Sequence, residues 1–338
     1  MPYVKPGVQE SHVNRRLTNV SVAFLQDSED FVADKLFLPL PTEDKSNTYV
    51  VYPTGTFSRD SMELRAPGDE SAGTTYEHSD DTFNCEVWAL HVDVADQKRA
   101  NTDAPLNEDR DATHRLTEAA MIRRERDMIN TFFKTGVWTF EAHGVAAASA
   151  SSSFDPASRG NDDTPKWSDS ASDPIPFIRK LRRSMQRKTG RRPNVLALGP
   201  TAWDTLLDHP DIIARLDRGQ TTGPAMAMKD AVSALFELDD ILVMEGVYNK
   251  AAEGADDNVD FINDDDGLLV YRPASAGLYT PAAAYTFMWT GYLGSVQNGM
   301  EISKIRAPLR KSDRIEIESA WDYKLIAADL GCFLSAIG

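Results

Sequence analysis

The stretch "VLALGPTAWDTLLDHPDIIARL", Val195 to Leu216, reads as a buried strand, a Gly-Pro turn and two short capped helices. Pro210 suits a first helical turn. Thr201 and Asp204 form a capping-box-like pair, with Asp in place of the usual Glu. A strand running through a tight turn into a helix is where enzymes often keep their chemistry. Yet this turn holds no second glycine, no lysine and no nucleophile. It lacks G-x-G-x-x-G and G-x-x-x-x-G-K-[ST], so it is no phosphate cradle.

The same α/β pattern extends on both sides. Upstream, "PIPFIRKLRRSMQRKTG" is a helix with Ile178, Leu181 and Met185 on one face. Downstream, "PAMAMKDAVSALFEL" is a helix, and "DDILVMEGVY" and "GLLVYRP" are strands, separated by an acidic loop from Gly254 to Gly267. The stretch Ala146 to Asp173 is rich in Ala, Ser, Asp and Gly and reads as a linker.

Before the linker lies the longest helix, from Asn107 to about Gly136. Asn107 is its N-cap, and Glu108, Asp109 and Asp111 complement the dipole. Ala112, Leu116, Ala119, Met121, Ile122, Met128, Ile129, Phe132 and Phe133 form its apolar stripe; Lys134 and Gly136 stop it. It reads as a structural spine. Ahead of it, "NTYVVYP" (Asn47 to Pro53) and "TFNCEVWALHVDVA" (Thr82 to Ala95) read as a hairpin. Gly55 to Asp81 between them carries seven acids against two bases, Arg59 and Arg65. A ribbon that long is marginal in water alone, so it folds back on its own chain or leans on a neighbour. Residues 1–25 read as an extended arm without a core. "DFVADKLFLPLP", Asp30 to Pro41, is an amphipathic turn leading into a strand. After Pro281 come strands again. In "RIEIESAWDYKLIA", Ile315, Ile317, Ser319, Trp321, Tyr323 and Leu325 share one face. "GCFLSAIG" is a docked apolar tail.

Composition bounds the classes. The 338 residues are 41% hydrophobic and 26% charged, enough for a sizeable core, and the formal charge is −16. No window approaches a membrane span, and the N-terminal residues lack a signal peptide's apolar run. The two cysteines, Cys85 and Cys332, form no CxxC and read as buried free thiols. G-x-S-x-G and H-E-x-x-H are absent. None of the six histidines lies within four residues of another, so no helical metal pair exists. His209 reads as a capping or surface residue at a helix–helix corner. "NDDDG", Asn263 to Gly267, resembles the start of a calcium loop, but Ile262 occupies a ligand position and the distal Glu is missing, so it reads as a solvated acidic turn. Arg179 to Arg192 holds eight basic residues in fourteen. It could bind phosphates, but no aromatic residues interleave for base stacking; pairing with acids of its own or a neighbouring chain is favoured. No catalytic constellation, cofactor site or metal site emerges, and the chain reads as a non-enzyme.

"LALGPTAWDTLLDHPDI" resembles a segment of the major capsid proteins of tailed bacteriophages, where it lies in the axial domain. The element order over most of the chain is similar too. The resemblance implies an α+β, tailed-phage capsid fold with six parts. These are an N-terminal arm (1–25), the start of a peripheral domain (26–45), an extended β-hairpin loop (46–95), the peripheral domain with spine helix and linker (96–173), an inserted α/β axial domain (174–280), and peripheral strands (281–338). Encapsulins and the herpesvirus shell floor share this fold. The implied function is self-assembly, as hexamers and pentamers, into an icosahedral head around double-stranded DNA bound without sequence specificity. The implied place is the virion capsid, assembled in the host cytoplasm and not in a membrane. An encapsulin-type compartment is the alternative. Implied partners are further copies of the chain, a portal protein, a separate scaffolding protein (no coiled-coil segment precedes the arm) and a possible decoration protein. The candidate inter-subunit residues are Arg59, Glu63, Arg65 and Glu77 in the loop and Arg179, Arg182, Arg183 and Arg187 in the basic helix. Some relatives weld subunits through a lysine in the extended loop. No lysine occurs from Ser46 to Gln97, so no such weld is expected.

Overall fold

A computed structural model describes residues 26–338, apart from 54, 56–57, 103–106, 152–153, 157–161, 218–228, 253, 278–279 and 294–298. The expected N-terminal arm lies outside the described residues. The chain enters through a short helix, Ala33–Leu36, into β1 (Pro39–Thr42). Next come β2 (Ser46–Val51), β3 (Ser79–Asn84) and β4 (Glu86–Ala95), then the spine helix, Glu108–Phe132. β5 (Phe140–Val145) and β6 (Asp163–Pro165) precede the basic helix, Pro174–Thr189. Then follow β7 (Val195–Leu198), helices Pro200–Leu207, Pro210–Asp217 and Lys229–Phe236, β8 (Asp240–Val243), β9 (Val247–Asn249), β10 (Val259–Phe261) and β11 (Gly267–Val270). β12 (Ala284–Trp289), β13 (Met300–Ala307), β14 (Ser312–Leu325) and β15 (Gly331–Ser335) close the chain.

The first sheet draws on both chain ends. β14 runs through its middle: β4 pairs along one edge, while β12 and β13 share the other, and β1 extends β12 in parallel. Alternation decides which face is inside. Ile315, Ile317, Ser319, Trp321 and Tyr323 are all buried, as period-two spacing requires when one face is covered. The spine helix covers it. Leu116 and Ala112 pack on Ile315, Ile317 and Val94. Trp321 donates to Asp127 (2.9 Å), and Arg123 stacks 3.9 Å above Trp88. Asn107 caps the helix by accepting from the Asp109 and Arg110 amides.

The second sheet has the order β6-β5-β15-β11-β7-β8. The helices around Ile178, Leu206, Ile212 and Val232 cover one face. The other face, with Ala197, Leu268, Val270 and Phe333, meets the end of the spine helix at Met128 and Phe132 and the segment Val32–Phe37. This shared core corrects three readings. The tail "GCFLSAIG" is a central strand rather than a docked end, and it leaves the sheet of the preceding strands. Phe140–Val145, just past the spine helix, also joins the α/β sheet. Finally, the stretch read as a linker contributes β6 and the buried Trp167. Its polar composition hid a single large core anchor.

The Gly-Pro turn is built by close approach. Gly199 itself is the N-cap residue, with no side-chain cap. Thr201 donates to Asp264 (2.5 Å) instead of pairing with Asp204, which corrects the capping-box reading. The acidic loop lies directly on the turn: Gly199 N–H donates to the Asp266 carbonyl (3.0 Å), and any Cβ at Gly199 would collide with the Asp264 carbonyl. Asp266 also accepts from the Ala336 amide (2.8 Å), so "NDDDG" clips strand, turn and C-terminus together.

Candidate assembly surfaces

The ribbon is the first surface. β2 and β3 pair from Ser46↔Asn84 to Val51↔Ser79. Only the base is anchored: Phe83 stacks on Phe287 (4.3 Å between ring centres), and Cys85 is buried beside it. From Pro53 to Thr82 every described residue is exposed. Met62 is 93% exposed and Leu64 103%. Arg59, Glu63, Arg65 and Glu77 all lie on this exposed stretch; Arg65 Nε donates to the Asp69 carbonyl within it (2.5 Å). Two large apolar side chains free of any cover on a thin ribbon are costly unless something covers them.

The basic helix is the second surface. Its apolar face buries Ile175, Ile178, Leu181 and Met185, and Gly190 ends it with φ +72°. Arg179, Arg183 and Arg187 recur every fourth residue and share the exposed face. Arg182 does not. It is 8% exposed, and its guanidinium donates to the Phe236 carbonyl (2.7 Å) and to Glu237 (2.8 Å). This corrects its placement among the contact residues: the neighbouring helix consumes it, and Arg182 in turn holds the Glu237 carboxyl below its ordinary pKa. The structure therefore brings three of the four basic candidates together. The loop candidates stand on a separate projection.

A charge network the sequence reading missed lies where β13 and β14 turn. Arg306 bridges Asp96 (2.5 Å) and Asp313 (2.8 Å). Lys304 bridges Asp109 (2.7 Å) and Asp313 (3.2 Å), and Arg99 reaches Asp109 (2.7 Å). Hydrogen bonds from Arg306 and Lys304 hold the Asp313 carboxyl down at about 2, and those from Arg314 and Arg310 hold Asp93 at about 2. The network ties the first turn of the spine helix to the sheet edge. Beyond it, Leu309 at the hairpin tip is 101% exposed.

A second missed feature is buried mid-spine. Glu125 is fully buried, and its Oε2 accepts from the amides of Val32 (3.1 Å) and Ala33 (2.8 Å), capping the short helix. Beside it Arg124 pairs with Asp34. Burial pushes the Glu125 carboxyl up to about 7, and also raises Asp34 against the opposing pull of Arg124.

His209 Nδ1 accepts from the Asp211 amide (3.2 Å), which makes it a cap at this corner. Its Nε2 then carries the proton and faces the buried Ser172 hydroxyl (3.0 Å), so it cannot act as that hydroxyl's base. Burial raises both thiols, Cys85 to about 11 and Cys332 further, which keeps them protonated and unreactive. Among the described residues no His, Cys, Asp and Glu group could hold a metal ion, and no helix is long and apolar enough to cross a membrane.

Residues 157–289 match the family model of phage major capsid protein E. The major capsid protein of Burkholderia phage BcepMu is 27% identical over 182 residues, an alignment spanning 52% of this chain and 53% of that protein. The major capsid protein of Pseudomonas phage JBD67 is 23% identical over 326 residues, 95% of this chain and 96% of that one. A phage-related protein from Bordetella bronchiseptica superposes with a TM-score of 0.66 at 16% identity, covering 93% of this chain and 94% of the other. The capsid of cyanophage P-SCSP1u gives 0.61 at 13% identity, covering 98% and 95%. The SrpI encapsulin of Synechococcus elongatus gives 0.53 at 12% identity, covering 96% and 94%. Residues 157–289 thus match the phage major capsid protein E family, and over nearly its whole length the chain has the tailed-phage capsid fold.

Proposed function

We propose that this chain is the major capsid protein of a tailed double-stranded DNA phage, assembling as hexamers and pentamers into an icosahedral head. The observation that carries this reading is the ribbon. Its base is locked into the core at Phe83 and Cys85, while every described residue from Pro53 to Thr82 is exposed, Met62 and Leu64 among them. Such a projection is stable only when a neighbouring copy supplies the missing contacts. The lattice contacts are made by the loop around Arg59, Glu63, Arg65 and Glu77 and by the basic helix face of Arg179, Arg183 and Arg187. The chain does no chemistry; it forms the virion shell, built in the host cytoplasm. A portal protein, a separate scaffolding protein and a decoration protein are its proposed partners, and it encloses DNA without reading its sequence.

The likeness to an encapsulin supports a second reading, a compartment shell with protein cargo. Negative-stain imaging of the protein, expressed alone and with its neighbouring genes, separates the two. DNA-filled heads joined to tails support the phage reading and small cargo-loaded shells the other. A chain that stays monomeric at high concentration sinks both.

A further inference from the structure

The ribbon returns to the body through a single residue. The β4–β14 ladder ends at the pair Glu86↔Trp321 and the β2–β3 ladder begins at Ser46↔Asn84, so Cys85 alone separates the two. The two strands of the ribbon are held at this root in unequal ways. Ahead of β2, Trp289 Nε1 donates to the Glu43 carbonyl (2.9 Å) and the Thr290 hydroxyl to the Thr42 carbonyl (3.0 Å), while any Cβ at Gly291 would collide with the Glu43 carbonyl. That strand is clamped by its backbone. At the end of β3 the Cys85 amide reaches only across the ribbon, to the Lys45 carbonyl (2.8 Å). The neighbouring Asn84 amide donates to the Asp322 carboxylate of β14 (2.8 Å). Beside the stack of Phe83 on Phe287 and the weak contact of the Cys85 thiol with the Phe287 carbonyl, a side chain and not a backbone ladder ties β3 to the sheet.

We infer that Asp322 is the positioning residue of the ribbon, a latch that holds the end of β3 down on the sheet and that its own negative charge weakens. The Asp322 side chain is 20% exposed and lies opposite Phe287 of β12. Lys324 stands 3.5 Å away on the same strand, with Tyr285 of β12 across from it. Glu86 of β4, Tyr49 of β2 and the Cys85 thiol also face Asp322, and Asp81 of β3 joins them through its bond from Tyr49 (2.9 Å). Of these groups only Lys324 is a cation. A carboxylate roofed over by the ribbon's root, among more acid than base, is costly as an anion. Turning the root about Cys85 returns it to water. Burial accordingly raises the Asp322 carboxyl above its ordinary 3.8 while the latch is closed, and opening restores the ordinary value. The closed state therefore binds the proton more tightly, so acid tightens the latch and rising pH loosens it. The neutral carboxyl still accepts from Asn84 through its carbonyl oxygen. Under the capsid reading, on which this consequence alone rests, Asp322 sets the direction in which a subunit presents its projection.

The test uses the unassembled full chain, so it stands whether or not the capsid reading does. Spin labels go on Glu70→Cys in the ribbon and Asn130→Cys on the spine helix, both exposed positions, while Cys85 and Cys332 are buried. Pulsed electron paramagnetic resonance reads the distance distribution between the labels from pH 4.5 to 8. With Asp322 in place the distribution broadens as pH rises. Asp322→Asn keeps a neutral acceptor for Asn84 and stays narrow at every pH. Asp322→Ala removes the acceptor and is broad at every pH. Urea midpoints check that each variant folds; where the alanine variant does not, the isosteric asparagine variant decides. Distributions that ignore both pH and residue 322 overturn the latch. Broadening on acidification also overturns it, because the charge would then act with the opposite sign. An unchanged pH response in Asp322→Asn overturns it as well, by assigning the titration to another group.

Discussion

Glu125 makes the stability of this subunit depend on pH over a window where few other carboxyls titrate. In the folded chain it is buried, with Oε2 held by two amides, and its pKa stands at about 7 against an ordinary 4.5. Asp34, Lys35, Arg124 and Tyr323 are the charged and titratable groups around it. Folding therefore favours the protonated form. Its contribution is fully present below about pH 4.5 and is lost as pH rises towards 7. At about 1.4 kcal/mol per pKa unit, the loss is of order 3 kcal/mol, flat above that range. Glu125→Gln is the perturbation. The amide keeps a neutral oxygen for Val32 and Ala33 but cannot ionise. Its NH₂ group adds an unsatisfied-donor cost of about 1–3 kcal/mol at every pH, so the readout is the slope rather than the offset. Urea unfolding of the unassembled subunit, followed by tryptophan fluorescence from pH 4.5 to 8, gives both. Wild type loses about 3 kcal/mol more than the variant across that range. Parallel pH profiles for the two proteins would refute the assignment of a buried, proton-binding carboxylate.

Three further outcomes follow from the geometry. Gly199→Ala drives a methyl into the Asp264 carbonyl and lowers stability by about 1–3 kcal/mol, read as a lower urea midpoint with an unchanged slope. Asp93 and Asp313 have folded pKa values near 2, below the ordinary 3.8, so their contribution is present above pH 3.8 and is lost as pH falls through about 2. Carboxyl chemical shifts titrating near 4 in either residue would contradict the ion-pair network. Finally, particles boiled in denaturant run as monomer on a gel, because the loop from Ser46 to Gln97 has no lysine to form an isopeptide bond; a multimer ladder disproves this.

Local chemistry was legible wherever one segment settles its own structure. Asn107 caps the spine helix because its side chain reaches amides two and three residues on. β14 shows its inner face because residues two apart must share a side. The exposed ribbon was legible as well, since an acidic, glycine- and serine-rich stretch has no apolar pattern to bury. Contacts between distant segments were hidden. Arg124 and Glu125 interrupt the apolar stripe and look solvated, yet they are buried because Val32–Asp34, some ninety residues earlier, bring two amides and a carboxylate to meet them. Arg182 looks like its three neighbours until the Phe236 carbonyl and Glu237 arrive to take it.

The sequence by itself determined the spine helix, the basic helix, the long strand Ser312–Leu325 and the order in which they come, because caps, turns and alternation act over a few residues. Tertiary structure alone decided that Phe140–Val145 and Gly331–Ser335 complete the α/β sheet. It also decided that Gly199 must be glycine because the Asp264 carbonyl lies against it. Those are matters of which strands meet and how closely, and strand partners are fixed by the shape of the whole core rather than by any one stretch of chain.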